Sequence, residues 1–183
     1  MTSDTSLSSL HCIVWMALLA ALVAAGAFIK VPLPPIPFTL QTFFVLLAGL
    51  LLGPVGGALC LLLYLAVGVL GLPVFSGGGS GLGHLMGPTG GFLVGFVLAA
   101  GLAGMARKAP MTPPDWGAGL AWGALGTLTL LGCGVAWLVI SLDFTWGKAV
   151  TAGMLPFLPG AIAKLVLAVG CARVMARRRL GPL

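Results

Sequence analysis

The chain alternates long apolar runs with short stretches rich in proline or glycine, and this alternation limits its possible folds more than any other feature. Charged residues make up only 7% of the 183 residues, whereas they make up about a quarter of an ordinary soluble domain. Such a chain cannot cover a water-facing surface, so its helices must face a lipid bilayer. A spanning helix needs roughly 20 apolar residues, so the length allows about six spans.

We therefore predict an all-α, polytopic membrane protein with six transmembrane helices in a single membrane domain, residues 1–183. The predicted spans are residues 10–28, 39–52, 56–70, 90–105, 116–142 and 154–176. Six spans place three unusual connections on one side of the membrane: a proline-rich segment (residues 26–41), a glycine-rich segment (residues 71–91) and the loop that enters the last span, which itself begins with LPFLPGAIAK. Irregular backbone at membrane depth is tolerated where it lines a cavity, so we expect a ligand site on that side.

The basic residues predict the orientation. Lys30 and Lys148 fall on the side of the three unusual connections, whereas six other basic residues fall on the opposite side: Arg107, Lys108, Arg173, Arg177, Arg178 and Arg179. The positive-inside rule then places both termini in the cytoplasm, with the protein in the plasma membrane. The net charge of +6 does not indicate nucleic acid, because the basic residues flank apolar runs. The leader MTSDTSLSS has no basic residue, so we do not expect the first span to be a cleaved signal peptide.

Lys164 is the strongest candidate for a functional side chain. It lies about ten residues inside the last predicted span, where a lysine is costly and marks a functional site by default. The only acidic residues of the chain are Asp4, Asp115 and Asp143, and all three lie outside the predicted spans. A carboxylate on a ligand is therefore a natural partner for the ammonium group; the alternative is that the lysine extends towards the outer interface.

Other candidates lie in or beside the outer connections. Phe28, Phe38 and Phe75 are placed to form walls for an apolar ligand, or to contact lipid. Thr39 and Gln41 are able to donate and accept hydrogen bonds at the same level. The glycines of residues 76–83 would let backbone N–H groups approach a ligand closely, unless this stretch is a flexible linker.

Catalytic and metal-binding chemistry has little support in the sequence. His11 and His84 are too far apart in sequence to indicate a metal site, and the four cysteines form no CxxC pair. No phosphate-binding GxxxxGK[ST] motif is present, so the chain cannot itself hydrolyse ATP, and we expect no cofactor. Ser80 and His84 would suit an intramembrane serine hydrolase, but no acid is placed to orient the histidine.

Small residues repeat at four-residue spacing in the first span. Ala17, Ala21 and Ala25 lie on one helical face, and such a face lets another helix approach closely in lipid. The spacing alone fits two interpretations equally, namely packing within this chain and docking to a separate membrane partner.

Two long motifs resemble the BioY family, the biotin-specific substrate-capture (S) components of energy-coupling-factor (ECF) transporters. They are GAFIKVPLPPIPFTLQTFFVLLAGLLLGPVGGALCLLLYLAVGVLGLPVF and GGGSGLGHLMGPTGGFLVGF, and the resemblance resumes at LPFLPGAIAK. It implies six helices, high-affinity capture of biotin from the outer side and a lid formed by the proline-rich segment. It also implies an alanine face that docks to an ECF transmembrane coupling subunit, which two ATPase subunits drive. The family pattern Pro-Gly-Asp-x-x-Lys is matched at Lys164, whereas Ala161 replaces the aspartate.

We therefore expect an S component for biotin uptake that is not an enzyme. The expected substrate-binding residues are Lys164, Gln41, Thr39, Phe38, Phe28, Phe75, Gly79, Tyr64, His84 and Gly160. The expected docking residues are Ala17, Ala21 and Ala25. Two alternatives stay open, namely a self-sufficient biotin carrier, as a single chain or as a homo-oligomer, and the serine hydrolase.

Overall fold

The structure, a computed structural model, describes residues 3–109 and 112–180, with side chains from residue 10 onward. Its elements in chain order are α1 (Ser3–Phe28), β1 (Lys30–Val31), β2 (Phe38–Thr39), α2 (Gln41–Val69), α3 (Gly81–Met86), α4 (Gly90–Gly104), α5 (Trp116–Leu142), α6 (Trp146–Gly153), a single 3-10 turn (Leu155–Phe157) and α7 (Leu158–Arg177). The two strands form an antiparallel pair within the proline-rich segment. All other regular structure in the described ranges is helical.

Most of the helices are long and apolar enough to cross a bilayer. Within the described residues, four such stretches are present: Leu10–Phe28, Gln41–Val69, Trp116–Leu142 and Trp146–Arg177. The helix Gly90–Gly104 is apolar but shorter. Because α2 consists of two arms, these stretches provide six main helical segments, and the predicted six-helix, all-α fold class is confirmed.

The helix α2 is a hairpin that reverses at Gly53 and Pro54. Gly53 has φ 78° and ψ −178°, a conformation that favours glycine, and it separates the two arms. A Cβ placed on Gly57 would lie 2.8 Å from the Cα atom of Gly49, whereas these residues would be about 12 Å apart in a straight helix. The GP break therefore folds the second arm back against the first.

Small residues let the neighbouring helices pack closely around this hairpin. A Cβ on Gly49 would overlap the carbonyl oxygen of Ala100 in α4, and a Cβ on Gly126 in α5 would lie 2.7 Å from the carbonyl oxygen of Ala99. Helix α1 packs on the hairpin through its buried Leu19 and Val23. The hairpin and α4 thus form the centre of the bundle, and α1 lies at its periphery.

The connection before the last span differs from the sequence-based expectation. We expected an irregular loop up to residue 154, but Trp146–Gly153 forms the helix α6. The hydroxyl of Thr145 caps it by accepting a hydrogen bond of 3.4 Å from the backbone N–H of Lys148. The 3-10 turn then leads into α7. Pro156 lies at the start of the 3-10 turn and Pro159 at the start of α7, where the backbone N–H that proline lacks would have no partner within the helix.

Candidate functional site

A cavity of about 650 Å³, including the open solvent at its mouth, lies between the proline-rich segment, the glycine-rich segment, the start of α7 and the adjoining helices. Its lining comes from the proline-rich segment, both ends of the glycine-rich segment, the beginnings of α2 and α7, and the interiors of α4 and α5. The lining residues are Ile36, Pro37, Phe38, Thr39, Gln41, Thr42, Ser76, His84, Thr89, Phe92, Leu93, Phe96, Thr127, Leu130, Leu131, Phe157, Ala161 and Lys164.

Lys164 is the one charged residue in the lining, and its side chain is only 8% exposed. Its Nζ atom donates hydrogen bonds to the backbone carbonyl of Thr39 at 2.5 Å and to the hydroxyl of Thr42 at 3.0 Å. The same atom lies 3.6 Å from the centre of the Phe38 ring, in cation–π contact. All of these partners are neutral, so the ammonium charge is solvated by dipoles and remains available to an anion.

The position of Ala161 leaves the lysine without an acidic neighbour on its own helix. Ala161 precedes Lys164 by three residues, on the same face of α7, and both residues line the cavity. Among the described residues, Asp115 pairs with the exposed Lys108 at 2.8 Å, and neither Asp115 nor Asp143 lines the cavity. The cavity therefore carries a positive charge that no acid of its lining neutralises.

Phe38 joins the proline-rich segment to α7. Its ring packs directly on Gly160, where a Cβ atom would overlap the ring. The ring centre is also 5.9 Å from that of Phe157 in the 3-10 turn. The Phe38 ring thus packs against the backbone of Gly160, and a residue without a side chain is suited to this position because it leaves room for the ring.

Gln41 and Tyr64 form a buried polar link between the two arms of α2. The Nε2 atom of Gln41 donates to the Tyr64 hydroxyl at 2.7 Å, and that hydroxyl donates to the carbonyl of Val74 at 3.1 Å. The Thr39 hydroxyl donates to the Oε1 atom of Gln41 at 3.2 Å. Tyr64 therefore holds Gln41 from behind the cavity wall, and the link continues into the glycine-rich segment.

His84 lies at the cavity wall on the short helix α3. Its ring stacks on the fully buried ring of Phe75 at 5.2 Å, and its Nε2 atom is 3.4 Å from the hydroxyl of Thr89. A side chain at Gly79 would overlap the imidazole. Burial lowers the pKa of His84, so the ring is neutral at neutral pH.

The structure brings half of the predicted substrate-binding residues into the cavity lining: Phe38, Thr39, Gln41, His84 and Lys164. Four more lie directly behind that lining, where they contact or hold its members: Tyr64, Phe75, Gly79 and Gly160. Phe28 differs from all of these, because it lies at the end of α1, is 59% exposed and does not line the cavity.

Much of the cavity wall was not anticipated from the sequence. Its apolar part comes from α4 and α5, chiefly through Phe92, Phe96 and Leu130. These helices are apolar all round, so no periodic pattern marks the face that they turn to the cavity. The sequence analysis also missed three threonines of the lining, Thr42, Thr89 and Thr127. The signal that could have identified them is a hydroxyl group within or beside an apolar run.

The serine hydrolase interpretation has no matching geometry within the described residues. Ser80 is exposed, and the His84 ring is engaged by Thr89 and Phe75. Likewise, the described ranges contain no group of three or more metal-ligating side chains.

The alanine face of α1 points away from the bundle. Ala17, Ala21 and Ala25 are exposed, whereas Leu19 and Val23 on the other side of the helix are buried against α2. Val14 and Leu18 extend the exposed surface, being 57% and 47% exposed. This face is therefore open to lipid or to another protein.

The fold and the cavity define a multi-pass, helical membrane protein that binds a small molecule between irregular segments at one end of its helices. The sequence profile of the BioY family matches residues 1–180. The chain is 40% identical over 154 residues to the "Probable biotin transporter BioY" of Pyrococcus horikoshii, and this alignment covers 84% of this chain and 89% of that protein. It is 39% identical over 178 residues to the "Biotin transporter BioY" of Rhodobacter capsulatus, covering 90% of this chain and 92% of that protein. The chain belongs to the BioY family.

A solved structure shows the same fold. The crystal structure at 2.1 Å of the S-component for biotin from an ECF-type ABC transporter superposes with a TM-score of 0.86 at 26% sequence identity. The match covers 100% of this chain and 97% of that chain.

Proposed function

We propose that this protein captures biotin and is the S component of an ECF-type biotin transporter. The observation that carries the proposal is the lone, buried ammonium group of Lys164 in a cavity whose other lining residues are apolar or are polar and neutral. Biotin has an apolar bicycle, a neutral polar ureido edge and a carboxylate. The aromatic and leucine wall suits the bicycle, the hydroxyls suit the ureido group, and Lys164 suits the carboxylate.

The distribution of basic residues supports entry of biotin from the outer side. The cavity lies at the end of the bundle that carries Lys30 and the proline-rich segment. Six of the other basic residues follow α4 or belong to the last turns of α7 and its continuation. The positive-inside rule then places both termini in the cytoplasm and the cavity at the outer face of the plasma membrane.

Release of bound biotin into the cell requires energy that this chain does not generate, because its sequence contains no phosphate-binding loop. The partner assembly is an ECF transmembrane coupling subunit with two ATPase subunits. This chain docks to the coupling subunit through the exposed face of Ala17, Ala21 and Ala25 on α1. Small residues on a lipid-facing helix permit the close helix contact that such docking needs.

Two measurements test the proposal. Equilibrium binding of biotin to the purified full-length protein in detergent should be saturable, and the absence of binding would contradict the proposal. Biotin uptake should then require co-expression of the coupling and ATPase subunits in cells that lack their own. Uptake of equal rate without these subunits would instead establish a self-sufficient carrier.

A further inference from the structure

Ser76 lines the cavity and carries a hydroxyl that no described residue pairs with. Its Oγ atom is buried, and it has no hydrogen-bond partner among the described residues. The other neutral hydroxyls of the lining are engaged: Thr39 with Gln41, Thr42 with Lys164, Thr89 with His84 and Thr127 with the carbonyl of Gly123. Buried hydroxyls in proteins are rarely left unpaired, so an unpaired hydroxyl on a cavity-lining residue points to a partner supplied by the ligand.

The surrounding loop fixes the position of this hydroxyl. The backbone N–H of Phe75 donates to the carbonyl of Gly79 at 3.0 Å, and the N–H of Gly78 donates to the carbonyl of Phe75 at 3.0 Å. Gly77 and Gly78 have φ of 80° and 76°, which closes the turn immediately after Ser76. Phe75 itself is fully buried between the rings of Tyr64 and His84. A group held in this way binds a ligand with little loss of conformational freedom.

On the basis of the proposed biotin-binding function, we propose that Ser76 Oγ hydrogen-bonds the ureido group of bound biotin. The two polar ends of biotin differ in charge, and so do the two kinds of polar group in the cavity. Lys164 is the lining's cation and takes the carboxylate, because that pairing compensates a buried charge. The neutral hydroxyl of Ser76 both donates and accepts, which matches a group that offers one carbonyl and two N–H bonds.

The test compares Ser76→Ala with Ser141→Ala in the full-length protein. Ser141 is a matched control, because its hydroxyl is also buried without a partner among the described residues but does not line the cavity. We expect Ser76→Ala to weaken biotin binding about 3- to 10-fold, as for the loss of one neutral hydrogen bond. We expect Ser141→Ala to leave Kd unchanged. Thermal unfolding without ligand should show that neither substitution lowers Tm, since neither removes a hydrogen bond within the described structure.

Biotin methyl ester, which has the ureido group but no charge, separates the two ends of the ligand. Competition against labelled biotin should show the same fold-loss on Ser76→Ala for the ester as for biotin. Equal Kd values for wild type and Ser76→Ala would overturn the inference while leaving biotin binding intact. A loss seen for biotin but absent for the ester would also overturn it, because the hydroxyl would then contact the carboxylate. If wild-type protein bound no biotin, the proposed function would fail together with this assignment.

Discussion

The Nζ atom of Lys164 on α7 donates a hydrogen bond of 2.5 Å to the backbone carbonyl of Thr39 on β2. This bond joins residues that are 125 positions apart in sequence, and it links the last helix to the proline-rich segment. The same contact places the positive charge beside the cavity and keeps it buried without an acid. One side chain thus both holds the proline-rich segment in place and provides the cavity's attraction for an anion.

Gly160→Ala should displace Phe38 and weaken biotin binding. A Cβ at this position overlaps the Phe38 ring, and overpacking of a tight contact costs about 1–3 kcal/mol. We expect a loss of about tenfold in affinity, measured as Kd by titration in detergent, together with a lower Tm. Gly170→Ala on the same helix is the matched control, because its nearest atom would be 3.5 Å away, in ordinary contact. Equal Kd and Tm for the two variants would show that the position of the Phe38 ring does not depend on its packing against Gly160.

The double substitution Ala21→Leu with Ala25→Leu should abolish energised uptake and leave biotin binding intact. Both alanines are exposed on α1, so larger side chains fit in lipid but block close approach of a partner helix. Uptake by cells that express all ECF subunits, and Kd of the purified protein, are the two measurements. Ala163→Leu, at an exposed alanine of α7, serves as the control and should retain uptake. Normal uptake by the double variant would rule out docking through this face.

Acidification should destabilise the protein in part through His84. Burial lowers the pKa of this imidazole from its ordinary value of about 6.5, so the unfolded chain takes up a proton at a higher pH than the folded chain does. The unfolded state therefore binds more protons as pH falls below about 6.5, and folding stability decreases through that window. Thermal unfolding between pH 8 and pH 5 should show a steeper fall of Tm for wild type than for His84→Gln. Parallel curves for the two proteins would contradict this role of burial.

The sequence predicted those parts of the molecule where chemistry departs from a plain apolar helix. A lysine within a span pointed to Lys164, the gap between the predicted spans 39–52 and 56–70 coincides with the turn of the α2 hairpin, and proline and glycine marked segments that meet at the cavity. The rest had no comparable signal. Phe92 and Leu130 lie in helices whose faces are equally apolar, so only tertiary packing determines that these two side chains face the cavity.

Two features of the structure that the sequence analysis did not predict have the same physical origin. Phe28 and Phe38 both lie within the proline-rich segment, yet Phe28 is 59% exposed and Phe38 packs on Gly160. Helix α6 has eight residues, too few for local propensity to predict it, and tertiary contacts through its buried Ala149 stabilise it. Both outcomes depend on contacts with residues that are distant in sequence.

The most direct test of the account is the biotin Kd of Lys164→Met compared with that of Lys148→Met. Methionine keeps the length and apolar stem of lysine and removes the charge, and Lys148 is an exposed lysine in cation–π contact with Phe144. Loss of a charged hydrogen bond is worth about 1.5–3 kcal/mol. We predict that Lys164→Met weakens biotin binding at least tenfold, whereas Lys148→Met binds as wild type does. Equal affinity of the Lys164→Met variant and wild type would contradict the assignment of this cavity as the biotin site.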